Sequence, residues 1–231
     1  MCEYCGCQAR RIEALLATER AAGESTNRPS RWVTETGDGH SDWYVERFRR
    51  MAAEGADLGG EARLVDAMVP PGSRILDAGC GPGRVAAHLH ERGHHVVGVD
   101  ADPVLVQAAR ADHPGPAWVV ADLAELDLPA HGCPEKFDAA VMAGNVLAFV
   151  ALGTEAEVLS RVAAHLVPDG LVLVGLGTDR GYPLTALDTD ASAAGLVLEH
   201  RFATWDLRPW QEDAPFAVSV LRLATAVEET P

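Results

Sequence analysis

The residues that invite a chemical reading lie in one short stretch. Gly79-Cys80-Gly81-Pro82-Gly83 follows an apolar run, Arg74 to Ala78, and precedes a helical pattern. Glycines at such a place permit left-handed backbone angles and close approach of a ligand to the main chain. The helix that starts there adds amide donors with no partner in the helix. A loop of this kind suits a nucleotide-like molecule. A dinucleotide loop of the form G-x-G-x-x-G would carry a glycine where Arg84 stands. A phosphate-cradling loop would end in Gly-Lys-Ser or Gly-Lys-Thr, which is absent. Asp77, two residues before Gly79, disfavours a pyrophosphate and suits a ligand with a cationic amino group.

Further carboxylates follow in order. Asp100 lies 23 residues after Asp77, at the end of the run His95 to Val99. An acid at the end of a second strand is placed to accept both hydroxyls of a ribose. That feature is shared by NAD and other adenosine ligands. Asp122 closes a third short run, Ala117 to Val120, and suits an adenine amino group. Ala143-Gly144-Asn145 follows a fourth run, Phe137 to Met142, and is small enough for a ligand to lie against it.

The elements that must position these groups alternate strand and helix. Helical patterns cover Gly83 to Arg92, Pro103 to Ala111 and Glu155 to Leu166, and another ends at Ala191 to Gly195. Proline opens the second of these, as helix starts prefer. Leu171 to Leu176 follows the break at Pro168-Asp169-Gly170 and reads as a fifth strand. Leu196 to Phe202 and Phe216 to Leu223 read as a final antiparallel pair. This alternation predicts a mainly parallel sheet covered on both faces. Ahead of it, residues 23 to 40 read as a linker, Ser41 or Asp42 as the cap of a helix carrying Trp43, Tyr44, Phe48 and Met51, and Gly60 to Met68 as a second helix.

Ile75 to Arg84, Val99 to Asp102, Ala121 to Leu123 and Phe137 to Val146 resemble the successive motifs of class I S-adenosylmethionine (SAM)-dependent methyltransferases. Leu166 to Gly170 resembles the turn before that family's fifth strand. The resemblance spans roughly residues 60 to 225. It implies a Rossmann-like α/β fold: a seven-stranded, mostly parallel sheet with an antiparallel last strand and helices on both faces. It also implies a cofactor, SAM, leaving as S-adenosylhomocysteine (SAH). By position, Gly79, Gly81 and Gly83, with Ala78 and Cys80, would pass beneath the methionine part. Asp77 would help hold its amino group. Asp100, with Ala101 and Asp102, would take the ribose, and Asp122 with the Leu123 amide the adenine. Ala143, Gly144 and Asn145 would complete the cofactor site. Asn145 is followed by Val146-Leu147, not Pro-Pro-Tyr, which argues against the DNA adenine and glutamine methyltransferase subclasses.

Methyl transfer needs orientation and exclusion of water, and a base only if the acceptor must lose a proton. No fixed catalytic motif is expected. Two regions are candidates for the acceptor: Trp43, Tyr44 and Arg47, and the loop holding Trp205 and Arg208. His40 is a candidate base, with a solvated loop histidine as the plainer reading.

The whole chain sets bounds on partners. Its formal charge of −15 repels a phosphate backbone, so nucleic acid is not expected. A small molecule, or a protein, fits better. No apolar run is long enough for a membrane span, and no secretion signal is visible, so the expected location is the cytoplasm. Residues 1 to 40 are expected to form an N-terminal segment ahead of a methyltransferase domain over 41 to 231. Cys2, Cys5 and Cys7 lack an evident fourth ligand, so no metal is expected there. A second reading keeps SAM binding without turnover, in a regulatory protein whose cysteine tail responds to metal or redox state. A third, an NAD-dependent oxidoreductase, lacks its third glycine.

Overall fold

The computed structural model describes residues 28 to 225. The cysteines at 2, 5 and 7 and most of the N-terminal segment expected over residues 1 to 40 lie outside the described residues.

Seven strands form one sheet in the order β3-β2-β1-β4-β5-β7-β6. They are β1 (Arg74–Ala78), β2 (His95–Asp100), β3 (Ala117–Val120), β4 (Phe137–Met142), β5 (Leu166–Gly177), β6 (Leu196–Phe202) and β7 (Phe216–Leu223). Strands β3, β2, β1, β4 and β5 pair in parallel, and β7 runs antiparallel to both β5 and β6. The expected fold class is therefore what the chain adopts. The helices are α1 (Arg31–Glu35), α2 (His40–Ala53), α3 (Gly60–Met68), α4 (Arg84–Glu91), α5 (Pro103–Asp112), α6 (Val146–Phe149), α7 (Glu155–Ala164) and α8 (Leu184–Ala193).

Alternation along each strand divides the core in two. Ile75, Ala139, Val141, Leu171, Leu173 and Val220 meet Leu64, Val65, Val85 and Leu89 of α3 and α4. Leu76, Ala140, Val172 and Val174 meet Val158, Leu159, Val162 and Leu187 of α7 and α8. Successive strand residues point to opposite faces, so a near-continuous apolar strand is what two covered faces require. Each fully buried large side chain, such as Phe137 or Leu173, contributes about 1.5–3 kcal/mol.

Three local expectations change. Pro168-Asp169-Gly170 does not end one element and start another, because β5 runs through it. Phe137 pairs with Leu166 and Ala139 with Leu171, so the extra residues bulge out, with Asp169 at φ 68°. Helix α2 starts at His40 after Gly39, whose φ is 77°. Ser41 and Asp42 therefore sit inside its first turn, and the Ser41 hydroxyl bonds to Asp102 instead of capping. The stretch read as a linker contains α1. Arg31 fixes that helix to the domain, donating to the carbonyls of Val150 (3.1 Å) and Leu147 (2.8 Å) and pairing with Glu155 at 2.9 Å.

Candidate active site

The carboxyl ends of β1, β2, β3 and β4 open into one cavity of about 430 Å³. Such volumes are typical of small-molecule sites. Its position outside the carboxyl ends of an open parallel sheet is where ligands bind in this architecture.

The glycine loop forms the cavity's floor and is held in place by β2. Gly79 and Cys80 donate their amides to the Val99 carbonyl at 2.8 and 2.9 Å. The Asp100 carboxylate takes the Gly81 amide on one oxygen and the Asp102 amide on the other, each at 2.9 Å. Burial raises the Asp100 pKa above the usual carboxylate range. Each oxygen retains acceptor capacity toward the cavity it lines. Gly79 (φ +81°) has no room for a side chain, since a Cβ would come within 2.6 Å of Val146. Gly83 likewise packs against Trp118 and Ala109. Gly81, in contrast, faces the cavity, with the Tyr44 ring across from it.

Asp77 is almost wholly buried below the loop and accepts the Ala86 amide at 3.0 Å, inside the first turn of α4. Burial pushes its pKa up to about 7, against the opposing pull of that bond and of Arg84. Burial also drives the Cys80 thiol well above its ordinary range, so it stays neutral and unreactive. Asp122 accepts the Ala124 amide at 2.9 Å and lines the cavity beside Leu123. Asn145 sits at φ 67°, a left-handed angle that asparagine tolerates better than most residues. Its amide oxygen accepts the Gly177 amide and so joins the end of β4 to that of β5.

The N-terminal helices cover the cavity. Trp32 donates to Asp102 at 2.9 Å, and Ser41 donates to the same carboxylate oxygen. Asp102 also caps α5 through the Val104 amide at 2.8 Å. Although burial opposes it, these bonds together hold the Asp102 pKa below the ordinary value. An aromatic wall follows from this anchoring. Trp32 meets Phe149, His40 and Tyr44 with ring centroids 5.6, 4.8 and 5.2 Å apart, and Tyr44 meets Phe48 at 4.9 Å. These edge-on contacts are the favoured geometry for aromatic pairs.

Most residues expected at the site converge on this cavity. Gly79, Gly81, Asp100, Ala101, Asp102, Asp122, Leu123, Ala143, Gly144 and Asn145 line it, as do Trp43, Tyr44, Arg47 and His40. Asp77, Ala78, Cys80 and Gly83 lie behind the lining and shape the loop. Trp205 and Arg208 are not part of the lining. Trp205 covers Gly175 on the α3–α4 side of the sheet, and the exposed Arg208 lies 3.6 Å from Asp206.

The fold agrees with that of known proteins. A family model described as a methyltransferase domain matches residues 75–170. The solved structure of a TehB-like SAM-dependent methyltransferase from Corynebacterium glutamicum is 40% identical, with a TM-score of 0.75. The match covers 80% of this chain and 98% of that one. The chain belongs to the class I SAM-dependent methyltransferases. Among curated relatives, the ribosomal protein L11 methyltransferase of Symbiobacterium thermophilum is 37% identical over 133 residues, 56% of this chain and 40% of that protein. The uncharacterized methyltransferase YodH of Bacillus subtilis is 34% identical over 136 residues, 56% of each chain. The chain thus spans about half the length of the curated relatives it matches.

Several residues of the cavity escaped sequence reasoning. Trp32 and Ser30 sit in the stretch read as a linker, Phe149 in a one-turn helix, and Arg180 in the loop after β5. An aromatic residue inside a polar linker was the one available signal, at Trp32. Arg84, read only as a missing glycine, reaches back to pair with Glu61 and to donate to the Leu58 carbonyl at 2.9 Å. Among the described residues no group of three or more His, Cys, Asp or Glu is placed to hold a metal ion. No helix among them is long and apolar enough to cross a membrane.

Proposed function

We propose that this methyltransferase holds SAM in the cavity over Gly79 to Gly83 and passes its methyl group to a small-molecule acceptor that enters beneath α1 and α2. The observation that carries the reading is the half-buried Asp100. Its two oxygens are fixed by backbone amides, yet both remain able to accept from a ligand in the cavity. A ribose diol has two hydroxyl donors at the spacing a carboxylate serves.

The other groups fit the same molecule. The adenine would lie between Leu105 and the small residues near Leu123, with Asp122 toward its amino group. The methionine part would cross Gly79 and Gly81, and at Gly81 the absence of a side chain leaves the backbone open to the cavity. Asp77 and the loop's position above it would favour a cationic amino group. When bound, SAM supplies a methyl carried on a positively charged sulfur, and transfer to an acceptor's lone pair leaves neutral SAH. What the chain contributes is position. Asp102 ties Trp32 and Ser41 to the strand ends, and Arg31 ties α1 to α6 and α7. These anchors hold the aromatic wall across the cavity. His40 lines the cavity and is the residue we propose as a base should the acceptor need to lose a proton.

The depth of the site under an aromatic cover favours a small molecule over a long polymer. The test is acceptor-dependent formation of SAH from SAM across a panel of small metabolites. SAH produced with one acceptor class supports the reading. Tight SAM binding with no turnover on any class would favour the regulatory alternative.

A further inference from the structure

We infer that the acceptor of this methyltransferase is a flat aromatic anion, held at the cavity mouth beside Trp43 and the N–H edge of the Arg47 guanidinium. The inference rests on the methyltransferase reading above and names the substrate class for that site.

Charge around the cavity is divided. The carboxylates Asp100, Asp102 and Asp122 all sit on the strand-end side. The cover and rim carry Arg47, Arg180 and His40 instead. Arg84 is neutralised by its own pair with Glu61. Arg47 has no such partner: among the described residues it forms no ion pair. Its guanidinium lies over the Trp43 ring at 5.8 Å and the Phe48 ring at 5.6 Å. Stacking of this kind fixes the plane of the fork and leaves its N–H edge free for a carboxylate-like group. Arg180 reaches the rim from the loop after β5, with the exposed Asp179 3.7 Å away. In a chain of charge −15, an arginine without an ion pair at a concave mouth, with a second arginine held only by an exposed aspartate, is the exception that an anionic ligand explains.

The shape of the mouth supplies the second part. Trp43 lines the cavity but is 53% exposed, so it is not there to fill the core. His40 stands beside it, with ring centroids 5.2 Å apart. A half-exposed indole beside a fixed guanidinium recognises an aromatic ring that carries a negative group. A neutral aromatic would leave the guanidinium edge unused, and a compact inorganic anion would leave the Trp43 face bare.

The test uses the full chain saturated with SAH and two matched probes, 2-naphthoate and its neutral amide 2-naphthamide, titrated by calorimetry. Naphthoate is expected to bind at least tenfold more tightly than the amide. Arg47→Met keeps an apolar stem on Trp43 and is expected to remove that preference, with SAH affinity within twofold of wild type. Equal binding of acid and amide overturns the inference, as does undetectable naphthoate binding or a preference that survives R47M. A tenfold loss of SAH affinity in R47M, with 5′-methylthioadenosine unaffected, assigns Arg47 to the cofactor's carboxylate and overturns it too. Failure of SAH to bind the wild-type chain is a separate result, which removes the methyltransferase reading and the inference together.

Discussion

Asp77 makes the stability of the folded chain depend on pH in a direction that can be worked out. Its carboxyl is 1% exposed and accepts one backbone amide, from Ala86. Burial pushes its pKa up to about 7, from an unfolded value of about 3.9. The folded state therefore keeps this proton while the unfolded state loses it. Stability from this group is fully present below about pH 4 and is lost as pH rises toward and through about 7. Three pKa units correspond to about 4 kcal/mol, of which about 3 kcal/mol falls between pH 5 and 8. Asp77→Asn is neutral at every pH, and its amide oxygen can still accept from Ala86. Urea unfolding of both proteins at pH 5, 6, 7 and 8 isolates the effect, because other titrations are common to the two. D77N should gain on the wild type by about 3 kcal/mol across that range. A difference between the two that does not change with pH would refute the burial argument. Saturating SAH should shrink the wild-type loss if a cationic amine sits near Asp77.

Three further outcomes follow from the same geometry. Asp100→Ala removes the acceptor of two backbone amides and of the proposed ribose contacts, and should weaken SAH binding by about 1–3 kcal/mol in calorimetry; unchanged affinity would contradict the ribose assignment. Arg31→Met leaves Glu155 nearly buried without its cation and should cost about 3 kcal/mol in urea unfolding; a neutral result would mean that α1 is not held to the domain by this pair. Gly79→Ala places a methyl 2.6 Å from Val146 at a left-handed φ, and should lose stability that Val146→Ala in the same chain restores in part, leaving the backbone strain; a G79A protein as stable as wild type would show that the loop relaxes freely.

The sheet was legible because each strand end carries its own punctuation. Short apolar runs stop at Asp77, Asp100 and Asp122, and those stops mark the ligand side of the sheet. The acids were legible for the same reason, although Asp102 turned out to serve the cover as much as the loop, through Trp32 and Ser41. What the linear pattern hid was contact across long separations. Arg31 meets residues 116 to 124 positions away, and nothing local in Ser30-Arg31-Trp32 announces that. The break at Pro168-Asp169-Gly170 has the composition of a turn, yet pairing with β4 on both sides keeps it in one strand. Trp205 drew attention as an aromatic next to charge, but a glycine on β5, Gly175, made a slot that its ring fills. Sequence shows which residues are apolar and not which face will need them.

The central claim is that the cavity above Gly79 to Gly83 takes SAM and not a dinucleotide. Calorimetric titration of the full chain with SAH, SAM and NAD tests it most directly. Saturable one-to-one binding of SAH and SAM, lost or weakened in D100A, with no heat from NAD, is the predicted result. Absence of binding by both adenosyl ligands, or NAD binding of equal strength, would contradict it.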